Sequence, residues 1–438
     1  VSRLNFVSHP VHSIKGELHV PGDKSISHRS IIFGAIAQGI TEVQGFLDGE
    51  DCIATIKAFQ SMGVAIEGPH NQRVLIHGVG KHGLKKPARI IDCGNSGTSM
   101  RLLAGLLAAQ DFDSTLTGDE SLLKRPMLRI SKPLSQMGAS VNTHEGKPPI
   151  TIKGGQKLKA IDYVMPEASA QVKSCILLAG IYAEGTTRIT ETGVSRDHTE
   201  RMLKTFSYPV RNDGYTIEIN ANGTLQGTDI TVPGDISSAA FFIVAATIIP
   251  GSNIIIRNVG INPTRIGVIH ILMEMGADIT LVNKRFHGEE PVADLCIKSA
   301  KLQGINIAEE MVPLAIDEFP VLFIAAACAD GVTTLRGAKE LRLKESDRIG
   351  SMAKGLEQLG IDVCVFDDGI QIKGGMLKGG VVDSFGDHRI AMSFAIAGAV
   401  AQNPVTVLNC ANVATSFPDF VTTANTLDFR IEDIIDNV

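Results

Sequence analysis

The sequence predicts an α/β (α+β) protein of two domains, each built from three βαβαββ repeats with buried parallel helices and outer sheets. Three observations carry that expectation. A unit averaging 73 residues recurs six times along the 438-residue chain. The first helix of each copy is apolar on nearly every face, as a buried helix must be. The sixth copy ends before its final strands, which the start of the chain can supply.

The elements follow in a fixed order. V-P-G-D stands at Val20–Asp23 and again at Val232–Asp235, ahead of the small, apolar helices SIIFGAIAQG and SSAAFFIVAATIIPG. Four segments share that character: SMRLLAGLLAAQ, QVKSCILLAGIYAEG, FPVLFIAAACADG and HRIAMSFAIAGAVAQN. Anchored at Pro21, Cys93, Pro166, Pro233, Ile316 and Ser384, the copies are spaced by 72, 73, 67, 83 and 68 residues. A β-branched run comes next, such as GITEVQG, GTTRITETG or GSNIIIRNVG. A second, amphipathic helix then closes on Met-Gly or Leu-Gly, at Gly63, Gly138, Gly276 and Gly360. Alternating strands complete the unit. The sixth copy begins at Asp383 and runs out soon after Leu427, and HSIKGELHV, before P-G-D, resembles what it lacks. Residues 21–233 are therefore expected to form one domain and residues 1–20 plus 234–438 the other. The chain would cross between them near Val20-Pro21 and Val232-Pro233, with the active site in the inter-domain cleft.

Composition narrows the function. Forty-one basic against 47 acidic residues give a net charge of -6, and there are no Trp and four Tyr. Neither a basic footprint nor aromatic stacking platforms are available, so nucleic acid is not an expected partner. The seven cysteines are scattered without a C-x-x-C pair, which suggests neither a disulfide framework nor zinc. VSRLNFVSHPVH lacks the apolar core of a signal peptide, and the longest apolar run, Ala239–Ile249, is 11 residues, too short for a bilayer. A soluble, cytoplasmic monomer without membrane contact is the expectation.

The unusual polar chemistry gathers where helices begin. PGDKSISHR, DCGNSGTSMR, MPEASAQVKS, VPGDISS, AIDEFP and DSFGDHR precede the first helices. LKRPMLR, SRDHTER, NPTR and LRLKESDR precede the second. Repeat symmetry thus directs Lys24, Arg29, Arg101, Arg125, Arg196, Lys344, Arg348 and Arg389 towards one face. Cations oppose the helix dipole at an N-terminus, so stability does not account for them. Binding of a multiply charged anion does, helped by the helix N–H groups themselves. Among acids, Asp317 and Glu345 are candidates for proton transfer, although each also fits a cap or a surface pair. His388 is a candidate proton shuttle, with helix capping as the plainer role. Asn95, Gly97 and Thr98 have the form of an amide nest, or of an ordinary glycine turn. G-V-G-K-H-G (78–83) matches a dinucleotide pattern but is followed by Pro87 and a β-branched run rather than a helix, so it is set aside. No phosphate-binding loop of the G-x-x-x-x-G-K-[ST] type occurs.

Nine segments, in this order, resemble the 5-enolpyruvylshikimate-3-phosphate synthase family along essentially the whole chain. They are P-G-D-K-S-x-S-H-R, G-N-S-G-T-S-M-R, K-R-P-M, S-A-Q-V-K-S, S-R-D-H-T-E, N-P-T-R, K-E-S-D-R, G-D-H-R-I-A-M and S-F-P-D-F. The pattern is similar to the second of the family's two sequence classes. The resemblance implies the fold inferred above, an inside-out α/β barrel arrangement. It also implies a shikimate-pathway transferase, serving chorismate and aromatic amino-acid biosynthesis, that joins shikimate 3-phosphate to phosphoenolpyruvate and releases phosphate without metal or organic cofactor. By motif, Lys24, Ser25, Arg29, Ser169, Gln171, Ser195, Arg196, Asp317 and Lys344 would hold shikimate 3-phosphate. Lys24, Asn95, Gly97, Arg125, Gln171, Arg348 and Arg389 would hold phosphoenolpyruvate. Asp317 would accept the proton of the 5-hydroxyl, and Glu345 or Lys24 would protonate the methylene carbon, with His388 as a further participant.

Three positions depart from the better-known class. Ala170 replaces a second Ser, Thr415 replaces a Lys, and Glu340 stands where an Asn often binds substrate, so those contacts are not carried over. Gly97 leaves room that a larger residue fills in glyphosate-insensitive relatives, which makes inhibition by glyphosate an open hypothesis. Two rival readings are a UDP-N-acetylglucosamine enolpyruvyl transferase and a non-catalytic anion-binding scaffold. The first is disfavoured because GDESLLKRPM lacks that family's reactive Cys, the second because Lys24, Asp317, Glu345 and Arg389 are all present.

Overall fold

A computed structural model describes residues 3–436. The chain divides into two compact units, Gly22–Val232 with His287–Glu290, and Val1–Pro21 with Pro233–Phe286 and Pro291–Val438. Each has its own apolar core.

In the first unit, the helices Lys24–Ile36, Gly97–Leu107 and Ala170–Gly180 are buried along almost their whole length. Their apolar, small-residue sequences leave no polar stripe for solvent. Asp23, Ser96 and Ser169 cap them, accepting from the amides of Ile26, Ser99 and Val172. Gly105 sets how closely two of them approach, since a Cβ there would lie 2.2 Å from the Cys175 carbonyl oxygen.

Three four-stranded sheets surround these helices. The strands Ile91–Asp92, Ser114–Thr117, Lys147–Lys153 and Ser140–His144 lie side by side in that order. Asp162–Val164, Thr186–Thr190, Thr216–Asn220 and Arg211–Asn212 repeat the arrangement, as do Asp229–Thr231, Gln38–Gln44, Arg73–Val79 and Ala65–His70. The leading pair is parallel and the others antiparallel each time. Register follows burial: Ile189 faces Ile217 and Thr187 faces Ile219, all four turned inward.

The second unit repeats this plan around the helices Ile236–Ile248, Phe319–Ala327 and His388–Gly398. Its sheets differ in two ways from a plain repetition. HSIKGELHV does not finish the sixth repeat. Its strand Lys15–His19 instead pairs in parallel with Asn253–Gly260 and leads the fourth repeat's sheet. The strand that completes the sixth is Arg3–His9, lying between Val405–Leu408 and Arg430–Asp436. The fifth sheet has three strands, Val332–Leu335, Gly369–Lys373 and Asp362–Phe366. In place of a leading strand it has isolated bridges from Gln303 and Asn306.

Candidate active site

The predicted anion-binding residues of the first unit sit at the starts of its helices. Lys24, Ser25 and Arg29 occupy the first turns of Lys24–Ile36, and Asn95 and Gly97 the turn into Gly97–Leu107. Arg125 follows a 3-10 turn at Leu122–Lys124, Ser169 and Gln171 open Ala170–Gly180, and Ser195 and Arg196 precede His198–Thr205.

Contacts tie several of these together. Arg101 donates to the Gln171 side-chain oxygen, and Gln171 Nε2 donates to Thr98 Oγ1 at 2.9 Å. Gly97 lies directly beneath two guanidinium groups. A Cβ on it would come within 2.8 Å of Arg125 Nη1 and 3.1 Å of Arg101 Nη1. Asn95 Nδ2 donates to Asp119 at 2.7 Å, which fixes the loop.

Other predicted residues turn elsewhere. Arg29 is buried and donates to Thr199 Oγ1 at 2.8 Å, Ser174 Oγ at 3.0 Å and the Ser25 carbonyl at 3.0 Å. Ser195 donates to Glu191, whose carboxylate also lies 3.1 Å from the buried ammonium of Lys173. Glu200 sits 2.9 Å from the same ammonium. Burial pushes the Glu200 carboxyl above its ordinary range, against the pull of Lys173.

In the second unit, five charged side chains form one chain of ion pairs. Arg348, 1% exposed, pairs with Asp387 at 2.9 Å, Glu345 at 2.7 Å and Asp317 at 3.4 Å. Lys344 Nζ lies 3.7 Å from Asp317. Although burial works against its charge, the carboxylates of Asp387, Glu345 and Asp317 together hold the Arg348 guanidinium above its ordinary range. Burial draws the Lys344 ammonium below its ordinary range, against the pull of Asp317 and Glu340. Asp387 caps His388–Gly398 by accepting from the Arg389 amide at 2.9 Å and also accepts from Ser346 Oγ at 2.8 Å. His388 and Arg389 are thereby placed in the first turn, both buried. Thr415 Oγ1 donates to the Asn412 carbonyl at 2.7 Å.

Sequence reasoning assigned no role to two residues that hold these groups in place. Asp51 pairs with Lys24, and Asp387 binds Arg348. Arg101, one of the cations expected at the helix starts, binds Gln171. The aspartate before H-R at a helix start was the available signal for Asp387. Glu50-Asp51 reads only as a dipole partner. Among the described residues, no group of three or more His, Cys, Asp or Glu side chains is arranged to hold a metal ion. No helix among them is long and apolar enough to cross a membrane.

A family model described as EPSP synthase (3-phosphoshikimate 1-carboxyvinyltransferase) matches residues 9–423. The chain belongs to the EPSP synthase family. A 3-phosphoshikimate 1-carboxyvinyltransferase of Legionella pneumophila (strain Philadelphia 1) is 74% identical over 430 residues, covering 98% of this chain and 99% of that protein. The solved EPSP synthase of Acinetobacter baumannii is 56% identical, with a TM-score of 0.88 over 98% of this chain and all of that one. The enolpyruvyl transferase NikO of Streptomyces tendae shares the fold, at a TM-score of 0.81 and 16% identity. EPSP synthase membership matches the fold class and transferase chemistry expected from the nine segments.

Proposed function

We propose that this EPSP synthase family member transfers the enolpyruvyl group of phosphoenolpyruvate to the 5-hydroxyl of shikimate 3-phosphate and releases inorganic phosphate. The observation that carries the assignment of roles is the Asp317 environment. A partly exposed carboxylate stands 3.7 Å from Lys344 and 3.4 Å from Arg348, an acid set among cations. That combination suits proton removal from a hydroxyl on an anionic substrate.

Lys24, Ser25, Arg29, Ser169, Gln171, Ser195, Arg196 and Lys344 are assigned to shikimate 3-phosphate, together with Asp317. Lys24, Asn95, Gly97, Arg125, Gln171, Arg348 and Arg389 are assigned to phosphoenolpyruvate. Guanidinium groups and helix N-termini match the two anions in charge and geometry. Asp317 takes the proton of the 5-hydroxyl as its oxygen bonds to the central carbon of phosphoenolpyruvate. Glu345 or Lys24 gives a proton to the methylene carbon, and His388 serves as a shuttle. The resulting tetrahedral carbon carries carboxylate, phosphate, methyl and the new ether. Loss of a methyl proton and departure of phosphate restore the double bond. A cytoplasmic monomer is part of this reading; seven scattered cysteines without a C-x-x-C pair suit a reducing compartment.

Phosphate release on mixing shikimate 3-phosphate with phosphoenolpyruvate tests the reading directly. Release only with UDP-N-acetylglucosamine, or with neither acceptor, would replace it. Asp317→Ala is expected to lower turnover by about 10²–10⁴-fold while changing the affinity for shikimate 3-phosphate far less. A wild-type rate would remove Asp317 as the base.

A further inference from the structure

Three carboxylates share one guanidinium in the second unit, and they are not equivalent. Asp387 is 0% exposed and makes two contacts with Arg348, at 2.9 and 3.3 Å. It is also committed to Ser346 and to the Arg389 amide. Glu345, 16% exposed, and Asp317, 19% exposed, each reach Arg348 through a single terminal nitrogen. Asp387 is therefore a fixed partner, held by the fold, while the other two pairs can be exchanged.

We infer that Arg348 is a substrate-operated latch on the proton-transfer groups. This rests on the assignment of phosphoenolpyruvate to Arg348 made above. The carboxylate or phosphate of phosphoenolpyruvate takes the Arg348 terminal nitrogens from Glu345 first and from Asp317 second. Asp387 keeps the guanidinium in place throughout. A carboxylate engaged by a guanidinium is a poor proton donor and a weakened base, because the pair favours its ionised form. Exchange frees the partly exposed Glu345 carboxylate to take up a proton from water and pass it to the methylene carbon, and it relieves Asp317 at the same step. Binding of the second substrate and readiness of the acid and base are thus coupled through one side chain. Glu345 competes with the substrate it serves.

The competition makes an unusual demand on Glu345 variants. Glu345→Gln is expected to bind phosphoenolpyruvate about two- to fivefold more tightly than the wild type, the range for one partly exposed ion pair. Its turnover is expected to fall at the same time. Glu345→Ala, which removes the acceptor altogether, is expected to gain at least as much affinity. Asp317→Asn is expected to gain less, in line with its longer 3.4 Å contact. The measurement is the dissociation constant for phosphoenolpyruvate by titration calorimetry, under identical conditions, on variants whose melting matches the wild type. If both Glu345 variants bind phosphoenolpyruvate as the wild type does, or more weakly, the latch is wrong. Phosphate release by the wild-type enzyme, measured alongside, keeps that failure apart from a failure of the functional reading.

Discussion

His28 lies between Lys24 and Arg29 on one helix, yet its ring turns inward. Nδ1 meets Thr55 Oγ1 at 2.8 Å, and Thr55 in turn lies 2.7 Å from Ser99 Oγ. Ser99 Oγ donates to Ser96 Oγ, the cap of the helix that begins at Gly97. Burial, reinforced by the charges of Lys24 and Arg29, holds the imidazole well below its ordinary range and so neutral. The sign of the pH effect follows. Below the unfolded value of 6.5, the unfolded chain takes a proton that the folded one refuses. Stability is therefore complete above about pH 6.5 and falls as pH drops, by up to about 1.4 kcal/mol per unit. Denaturant unfolding of wild type and His28→Asn across pH 7.5 to 5.5 checks this. The stability gap between them is expected to shrink by about 1 kcal/mol on acidification. A constant or widening gap would contradict a neutral His28. The motif S-H-R displayed this histidine beside two candidate ligands, but a sequence carries no sign of which way a ring turns. For the same reason the cations were legible and their partners were not, since Asp387 is 39 residues from Arg348 and Asp51 is 27 from Lys24.

Helix starts carry the chemistry of both units, and the strength of each cap depends on what else it holds. Asp347 and Asp235 illustrate the range. Asp347 caps Arg348–Gln358 through the Gly350 amide and pairs with Arg342, but its side chain is 43% exposed. Asp235 caps Ile236–Ile248 through the Ser237 amide and lies 2.9 Å from Arg265, both side chains being nearly inaccessible. The Ser237 hydroxyl donates to Glu318, the residue beside Asp317, so this cluster also anchors the loop that presents the proposed base. Asp347→Ala is expected to cost about 1 kcal/mol, the usual value of a cap. Asp235→Ala removes one partner of a buried ion pair and is expected to cost about 3–5 kcal/mol. Thermal melting of the two variants decides; equal losses would show that burial of the ion pair adds nothing. Capping was readable at this scale, because Asp and Ser stand before nearly every apolar helix. The short leading strands were not. Asp229–Thr231 has three residues and no alternation long enough to recognise, and its partner Glu42–Gln44 lies far away in the sequence.

Across the whole chain, the repeat made the fold class legible, because six apolar helices at regular spacing leave few ways to bury them. Pairing between distant strands was harder, since strand sequences of similar pattern can exchange partners without altering their burial. HSIKGELHV and RLNFVSH both offer an alternating strand, and only tertiary context separates them. Leu18 fits beside Ile256, in a sheet that needs a parallel leading strand. Phe6 fits an aromatic cluster, its ring 6.2 Å from that of Phe420. The strand Arg3–His9 is an interior strand of its sheet, and its side chains reach elements formed about 400 residues later. Asn5 Oδ1 accepts from the Asn409 amide at 3.0 Å, and Ser8 Oγ donates to the Ala395 carbonyl at 2.6 Å. Completion of the second unit therefore depends on the first residues of the chain. Phe6→Ala should show it, because truncating a fully buried Phe leaves a cavity worth about 3–5 kcal/mol. The matching change in the other core is Phe59→Ala, at a side chain that is equally buried. Hydrogen exchange read segment by segment would separate the two. Phe6→Ala is expected to speed exchange in Val405–Leu408 and Arg430–Asp436 and to leave Gly97–Leu107 protected, with Phe59→Ala giving the reverse. If Phe6→Ala left the sixth sheet's protection intact, the strand would be an accessory to the second unit rather than part of its core.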